Sequence, residues 1–162
     1  MSSEELRTSF SDFVVSSSTR KKGQTNSSGD SSSEGDLQVT CFTEDLHDVT
    51  LHFQIVRFSK QIYVWVGCNT AKFGHLYAAA TTRPDNRVSV TSVLGGTSDN
   101  TGSGIARRLV LKTGLNIVLA CNIPKDSPML EAAAERKLVE KLKGLGYTRP
   151  IAGEANTSIA QK

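Results

Sequence analysis

The sequence predicts a single α+β domain built from about six mostly antiparallel β-strands and two main α-helices. Three observations predict it. After Asp36 the apolar residues begin to alternate, or to cluster in short runs bounded by turn formers. The segments then follow the order strands, helix, strand, helix, unlike the regular alternation of a parallel α/β sheet. A chain of 162 residues, 38% of them hydrophobic, fits one packed domain once those residues are concentrated in part of its length.

The first strand is expected over Leu37 to Phe42, with Leu37, Val39 and Cys41 on one face and Gln38, Thr40 and Phe42 on the other. Val49 to Phe58 follows, with Leu51, Phe53 and Ile55 on one face, and Ser59-Lys60 makes a short hairpin connection. Gln61 to Cys68 is apolar on both faces, through Ile62, Val64 and Val66 on one side and Tyr63 and Trp65 on the other, so it is a central or doubly covered strand. His75 to Thr82 and Val88 to Leu94 extend a meander of adjacent strands across the turn Arg83-Pro84-Asp85-Asn86. A helix is expected over Ile105 to Thr113, reversed by a left-handed Gly114, with Thr101 or Ser103 as its cap. Leu115 to Asn122 is a buried strand. The last helix begins near Pro128, which lacks the amide hydrogen left unpaired at a helix start, with Ser127 as cap. Leu130, Ala134, Leu138 and Leu142 form its apolar stripe before it ends around Gly144 to Gly146. Arg136 and Glu140 can pair across one turn of it.

Residues 1–36 are about one-third serine and too poor in apolar surface to offset chain ordering, so they read as a disordered arm. The folded domain is expected over residues 37–147, and residues 148–162, without apolar period after Ile151, read as a flexible tail. The net charge of +3 is small, and the lysines and arginines are spread along the chain, which argues against nucleic-acid binding. Cys41, Cys68 and Cys121 form no CxxC motif, and their odd number suits a reducing compartment. With no signal-like segment near Met1 and no apolar run of about 20 residues, a soluble cytoplasmic protein without membrane association is expected. Nucleus is the second compartment, through Arg20-Lys21-Lys22, although three basic residues in a solvated arm more often carry no address.

Candidate chemistry centres on the glycine-rich loop 95–104. Glycines ahead of a helix let backbone amides converge on an anion, so the rival class is a small nucleotide- or phosphate-binding enzyme. The residues fit poorly: Gly96 and Gly102 are spaced wrongly for a P-loop, Ser103 stands where lysine is needed, and Asp99 would repel the anion. Arg107 occupies the place of the third Rossmann glycine. Ser103 lacks the first glycine of a nucleophile elbow, where Thr101 stands instead. His47, His52 and His75 have no metal-ligand spacing, and the aspartates are scattered among turns. No catalytic residue, cofactor or metal is therefore assigned.

Two features suggest contact with another protein. Tyr63 and Trp65 are large anchors on one strand face, although core packing is the commoner role for such residues. At 100° per residue Ile105, Ala106, Leu109 and Val110 form one stripe, while Leu111 falls opposite, bordered by Arg107, Arg108 and Lys112.

The stretch "IYVWVG" at residues 62–67, with Trp65, Val66 and Gly67, is followed by Ser92, Leu94 and Gly95, then Thr97, Ser98, Asp99 and Thr101, then Arg108, Leu109, Lys112 and Thr113. In these residues the sequence resembles the proteasome assembly chaperone 4 family, over roughly residues 39–146. The resemblance implies a compact fold of antiparallel β-structure with helices. It also implies a noncatalytic chaperone that pairs with proteasome assembly chaperone 3, engages α subunits of the 20S proteasome, notably α5, and promotes assembly of the α-ring. The residues expected to contribute to partner binding are Thr97, Ser98, Asp99, Thr101, Arg107, Arg108, Leu111 and Lys112.

Overall fold

The computed structural model describes residues 37–46, 48–96 and 100–150. The expected arm, residues 151–162 of the expected tail, and His47, Thr97, Ser98 and Asp99 lie outside the described residues. Six strands, β1 (Gln38–Leu46), β2 (Val49–Arg57), β3 (Gln61–Cys68), β4 (His75–Thr82), β5 (Arg87–Leu94) and β6 (Asn116–Asn122), form one sheet. Helix α1 (Thr101–Thr113) lies between β5 and β6, and α2 (Pro128–Gly144) follows β6. The α+β class, the six strands and the two helices are as the sequence predicts.

The sheet order is β1-β2-β3-β6-β4-β5. The expected continuous meander is corrected here, because β6 inserts between β3 and β4, parallel to the first and antiparallel to the second. The cause is burial. Ile117 and Leu119 of β6 are almost wholly enclosed beneath the helices, a position that an interior strand of the sheet reaches and an edge strand does not.

Period-two alternation sorts the strand residues into two faces. Leu51, Phe53 and Ile55 of β2, Ile62, Val64 and Val66 of β3, Tyr77 and Ala79 of β4, and Ile117 and Leu119 of β6 enter one core. Ile105, Ala106, Leu109 and Val110 of α1, and Ala134, Leu138 and Leu142 of α2, close that core from the same side. Removing one such fully buried leucine to alanine costs about 2–5 kcal/mol in comparable cores.

Two boundaries, one cap and one ion pair are corrected. Strand β1 continues to Leu46 because its polar end pairs in register with β2 as far as Leu46 opposite Val49, while Lys137 of α2 meets Glu44 at 3.2 Å. Helix α1 begins four residues earlier than expected, at Thr101 with Asn100 in the cap position, so Thr101 and Ser103 are helical residues and not its cap. Glycine is a poor helix former, but the packing of Gly102 on the sheet outweighs that propensity. Helix α2 does begin at Pro128, yet no side-chain bond caps it at Ser127. Within α2, Glu140 meets Lys137 at 3.9 Å and not the expected Arg136.

Candidate functional site

Gly95 and Gly102, toward the two ends of the glycine-rich stretch, are placed for packing. A Cβ on Gly102 would stand 2.3 Å from Cε2 of Tyr77, a side chain that is itself buried in the core. A Cβ on Gly95, whose φ is +101°, would meet the His75 ring at 2.4 Å. Both glycines bring α1 and its entering loop close to β4, a sufficient structural reason for residues that otherwise suggest a phosphate cradle.

Helix α1 presents its outward residues to two different places. Arg107 reaches β5, where its Nη1 donates to the Val88 carbonyl oxygen at 2.8 Å. Arg108 turns toward α2 and its Nε donates to Glu135 Oε1 at 2.6 Å. That hydrogen bond, with the charges of Glu135 and Glu131, raises the guanidinium above its ordinary pKa against a smaller opposing effect of burial. Leu111 is 59% exposed, as its place off the core stripe requires, and Lys112 lies exposed beside it. The structure therefore brings Arg108, Leu111 and Lys112 together and separates Arg107 from them. Thr101 sits half-buried at the first turn of α1, and Thr97, Ser98 and Asp99 are outside the described residues.

The far wall of this face comes from residues that the sequence reading left out. At the end of α2, Gly146 adopts φ +75°, and the Tyr147 amide donates back to the Leu142 carbonyl at 2.9 Å, which reverses the chain. The Arg149 amide then donates to the Lys112 carbonyl at 2.8 Å, and its Nη2 lies 3.4 Å from the Gly114 carbonyl oxygen. A cation here also faces the negative end of the α1 dipole. The outcome is a groove of about 830 Å³ between α1, α2 and residues 148–150. Leu111, Val139 and Pro150 supply its apolar lining, and Arg108, Lys112, Lys143 and Arg149 its positive rim. Lys112 and Lys143 have no carboxylate partner among the described residues. Lys143 and Arg149 carry no local signal in the sequence, since Lys143 joins the site through the packing of α2 beside α1 and Arg149 through the chain reversal at Gly146.

A second surface lies on the opposite side of the sheet, which neither helix covers. Val39, Val56, Tyr63, Val118, Ala78 and Thr91 are successive register partners across all six strands and form one row there. The first five are only half-buried. Burial is enough to push the Tyr63 phenol above its ordinary value. Trp65, on the same face, is largely buried and its indole N–H donates to the Lys72 carbonyl at 3.0 Å, so it is a packed residue under the β3–β4 connection.

Comparison with known proteins gives one consistent result. Residues 50–123 match the family model described as Proteasome assembly chaperone 4. The human protein of that name is 30% identical over 108 residues, covering 67% of this chain and 87% of the human one. The mouse protein is 28% identical over 109 residues, covering 67% of this chain and 88% of the mouse one. A chain from the crystal structure of a chaperone complex for yeast 20S proteasome assembly is 16% identical, with a TM-score of 0.45, over 66% of this chain and 94% of that one. On the identity and coverage of the human relative, this chain belongs to the proteasome assembly chaperone 4 family.

Proposed function

We propose that this chain is a noncatalytic chaperone that pairs with proteasome assembly chaperone 3 and promotes assembly of the 20S proteasome α-ring, engaging α subunits and α5 in particular. Its proposed place of work is the cytoplasm, with the nucleus as the second compartment. The observation that carries the reading is the row from Val39 to Ala78, an apolar stripe across five strands on a helix-free sheet face. A sheet normally buries such a face against a second layer, and here the pairing chaperone supplies that layer. The groove beside Leu111 is on the other side of the domain, so a heterodimer closed through the sheet leaves it open for a proteasome subunit.

Such a protein acts by differential binding. It must hold an assembly intermediate more tightly than the finished particle, and no bond in the client need change. Co-purification of the full chain with chaperone 3 and α subunits, followed by identification of what is bound, tests the reading. Recovery of neither would sink it. Recovery of chaperone 3 with wild-type chain and its loss with Val56→Asp would assign the sheet face to pairing.

A further inference from the structure

The groove beside Leu111 combines an apolar lining with four cations, three of them, Lys112, Lys143 and Arg149, without a carboxylate partner among the described residues. Its chemical complement is a short acidic segment carrying large apolar side chains. This chain contains one. Residues 4–15 read EELRTSFSDFVV, with Glu4, Glu5 and Asp12 against Arg7 alone. Leu6, Phe10 and Phe13 recur at four- and three-residue spacing, which places them on one face of a helix.

Chain geometry favours the same segment. The folded domain starts at Leu37, and Gln38 accepts a hydrogen bond from the Tyr147 hydroxyl. Tyr147 directly precedes Thr148, Arg149 and Pro150, which form the groove wall. Residues 16–36, rich in serine and glycine, span 21 positions between Val15 and Leu37. By composition, a Gly/Ser-rich spacer of that length has a root-mean-square reach of about 25 Å. The other segment near the groove, residues 151–162, carries Glu154 against Lys162 and so offers no net negative charge.

We propose that residues 4–15 dock in cis in the basic groove formed by α1, α2 and residues 148–150. Docking buries the apolar side chains of Leu6, Phe10 and Phe13 against Leu111, Val139 and Pro150 and sets Glu4, Glu5 and Asp12 against the cationic rim. Tethering sets an effective concentration on the order of millimolar, so an intrinsic affinity of about 0.1 mM fills the groove in about nine molecules of ten. Docked there, the segment covers Leu111 and competes with any protein that uses the same face. This inference holds whatever the partner's identity.

Hydrogen exchange of the full-length chain tests it, with rates expressed relative to those of the unstructured peptide. Amides within residues 4–15 are expected to exchange about tenfold more slowly than the free segment. Glu4→Lys with Glu5→Lys should abolish the protection, as should Lys112→Glu with Lys143→Glu, and combining all four changes should restore much of it. The arm variant leaves the folded domain untouched, so it decides the matter even if the groove variant folds poorly. Equal rates for residues 4–15 in the wild type and the arm variant would overturn the proposal and leave the groove to a partner protein. Protection that rises with protein concentration would overturn it in favour of docking between copies. Protection confined to residues 151–162 would assign the groove to the tail instead.

Discussion

The amide of Arg149 donates to the carbonyl of Lys112 at 2.8 Å, and this one bond ties the chain beyond α2 to the last turn of α1. It turns the exposed face around Leu111 into a walled groove. It also explains why α1 can end at Gly114, φ +72°, with a cation over its terminal carbonyl groups.

Leu111→Asp should leave the fold unchanged, because the side chain is 59% exposed and surface changes away from special features lie within about ±0.5 kcal/mol. Pairing with chaperone 3 should persist while α-subunit capture falls. Thermal denaturation and pull-down on the same preparation check both halves. Undiminished capture by the folded variant would remove the groove from the client surface.

Val56→Asp should do the reverse on the other side of the sheet. A carboxylate on a half-buried apolar row loses its water when a second layer closes over it, at a cost above the about 1–3 kcal/mol of a neutral polar group. Heterodimer affinity should drop by about tenfold or more, a difference readable by titration calorimetry.

Gly102→Ala should destabilise the domain despite the better helix propensity of alanine. The new methyl would sit 2.3 Å from Tyr77 Cε2, and Tyr77 is fully enclosed, so the helix or the ring must shift. Overpacking of this kind costs about 1–3 kcal/mol. A urea midpoint equal to or above that of the wild type would contradict the packing account.

Glu135→Gln should matter little to stability. The pair it forms with Arg108 is short, but the Arg108 side chain is 48% exposed, and solvent-screened pairs contribute about 0–1 kcal/mol. A double-mutant cycle with Arg108→Gln should return a coupling in that range, smaller still in high salt.

Alkaline pH should weaken the fold. Burial raises the thiols of Cys41 and Cys68 above the ordinary value of 9.0, and the Tyr63 phenol above 10.0, because it disfavours their charged forms. Below about pH 8 these groups are neutral in both folded and unfolded chains and cost nothing. As pH rises through 9, and then through 10 for Tyr63, the unfolded chain loses protons that the folded chain retains, so stability falls progressively. Denaturation midpoints between pH 8 and 11 check the direction. Slow alkylation of Cys68 in the native protein, and fast alkylation in denaturant, check the cause.

Local pattern was enough to determine the kinds of element and most of their places. Alternating Leu51, Phe53 and Ile55, the doubly apolar run from Ile62 to Cys68, and the four-residue stripe of α2 each depend on neighbours within a few positions. The same reasoning placed Leu111 outside the core, since a helical angle is fixed by sequence distance alone. Strand order lay beyond such reasoning. Nothing near β6 records that it will lie parallel to β3 and between β3 and β4, because that choice depends on burying Ile117 and Leu119 against segments distant in the chain. Tertiary packing likewise separated Arg107 from Arg108, drew the start of α1 back to Thr101 through contact with Tyr77, and brought Lys143 and Arg149 to Leu111. The elements follow from periodicity, which is local. The groove and the open sheet face follow from contacts across the fold, which only the folded chain brings together.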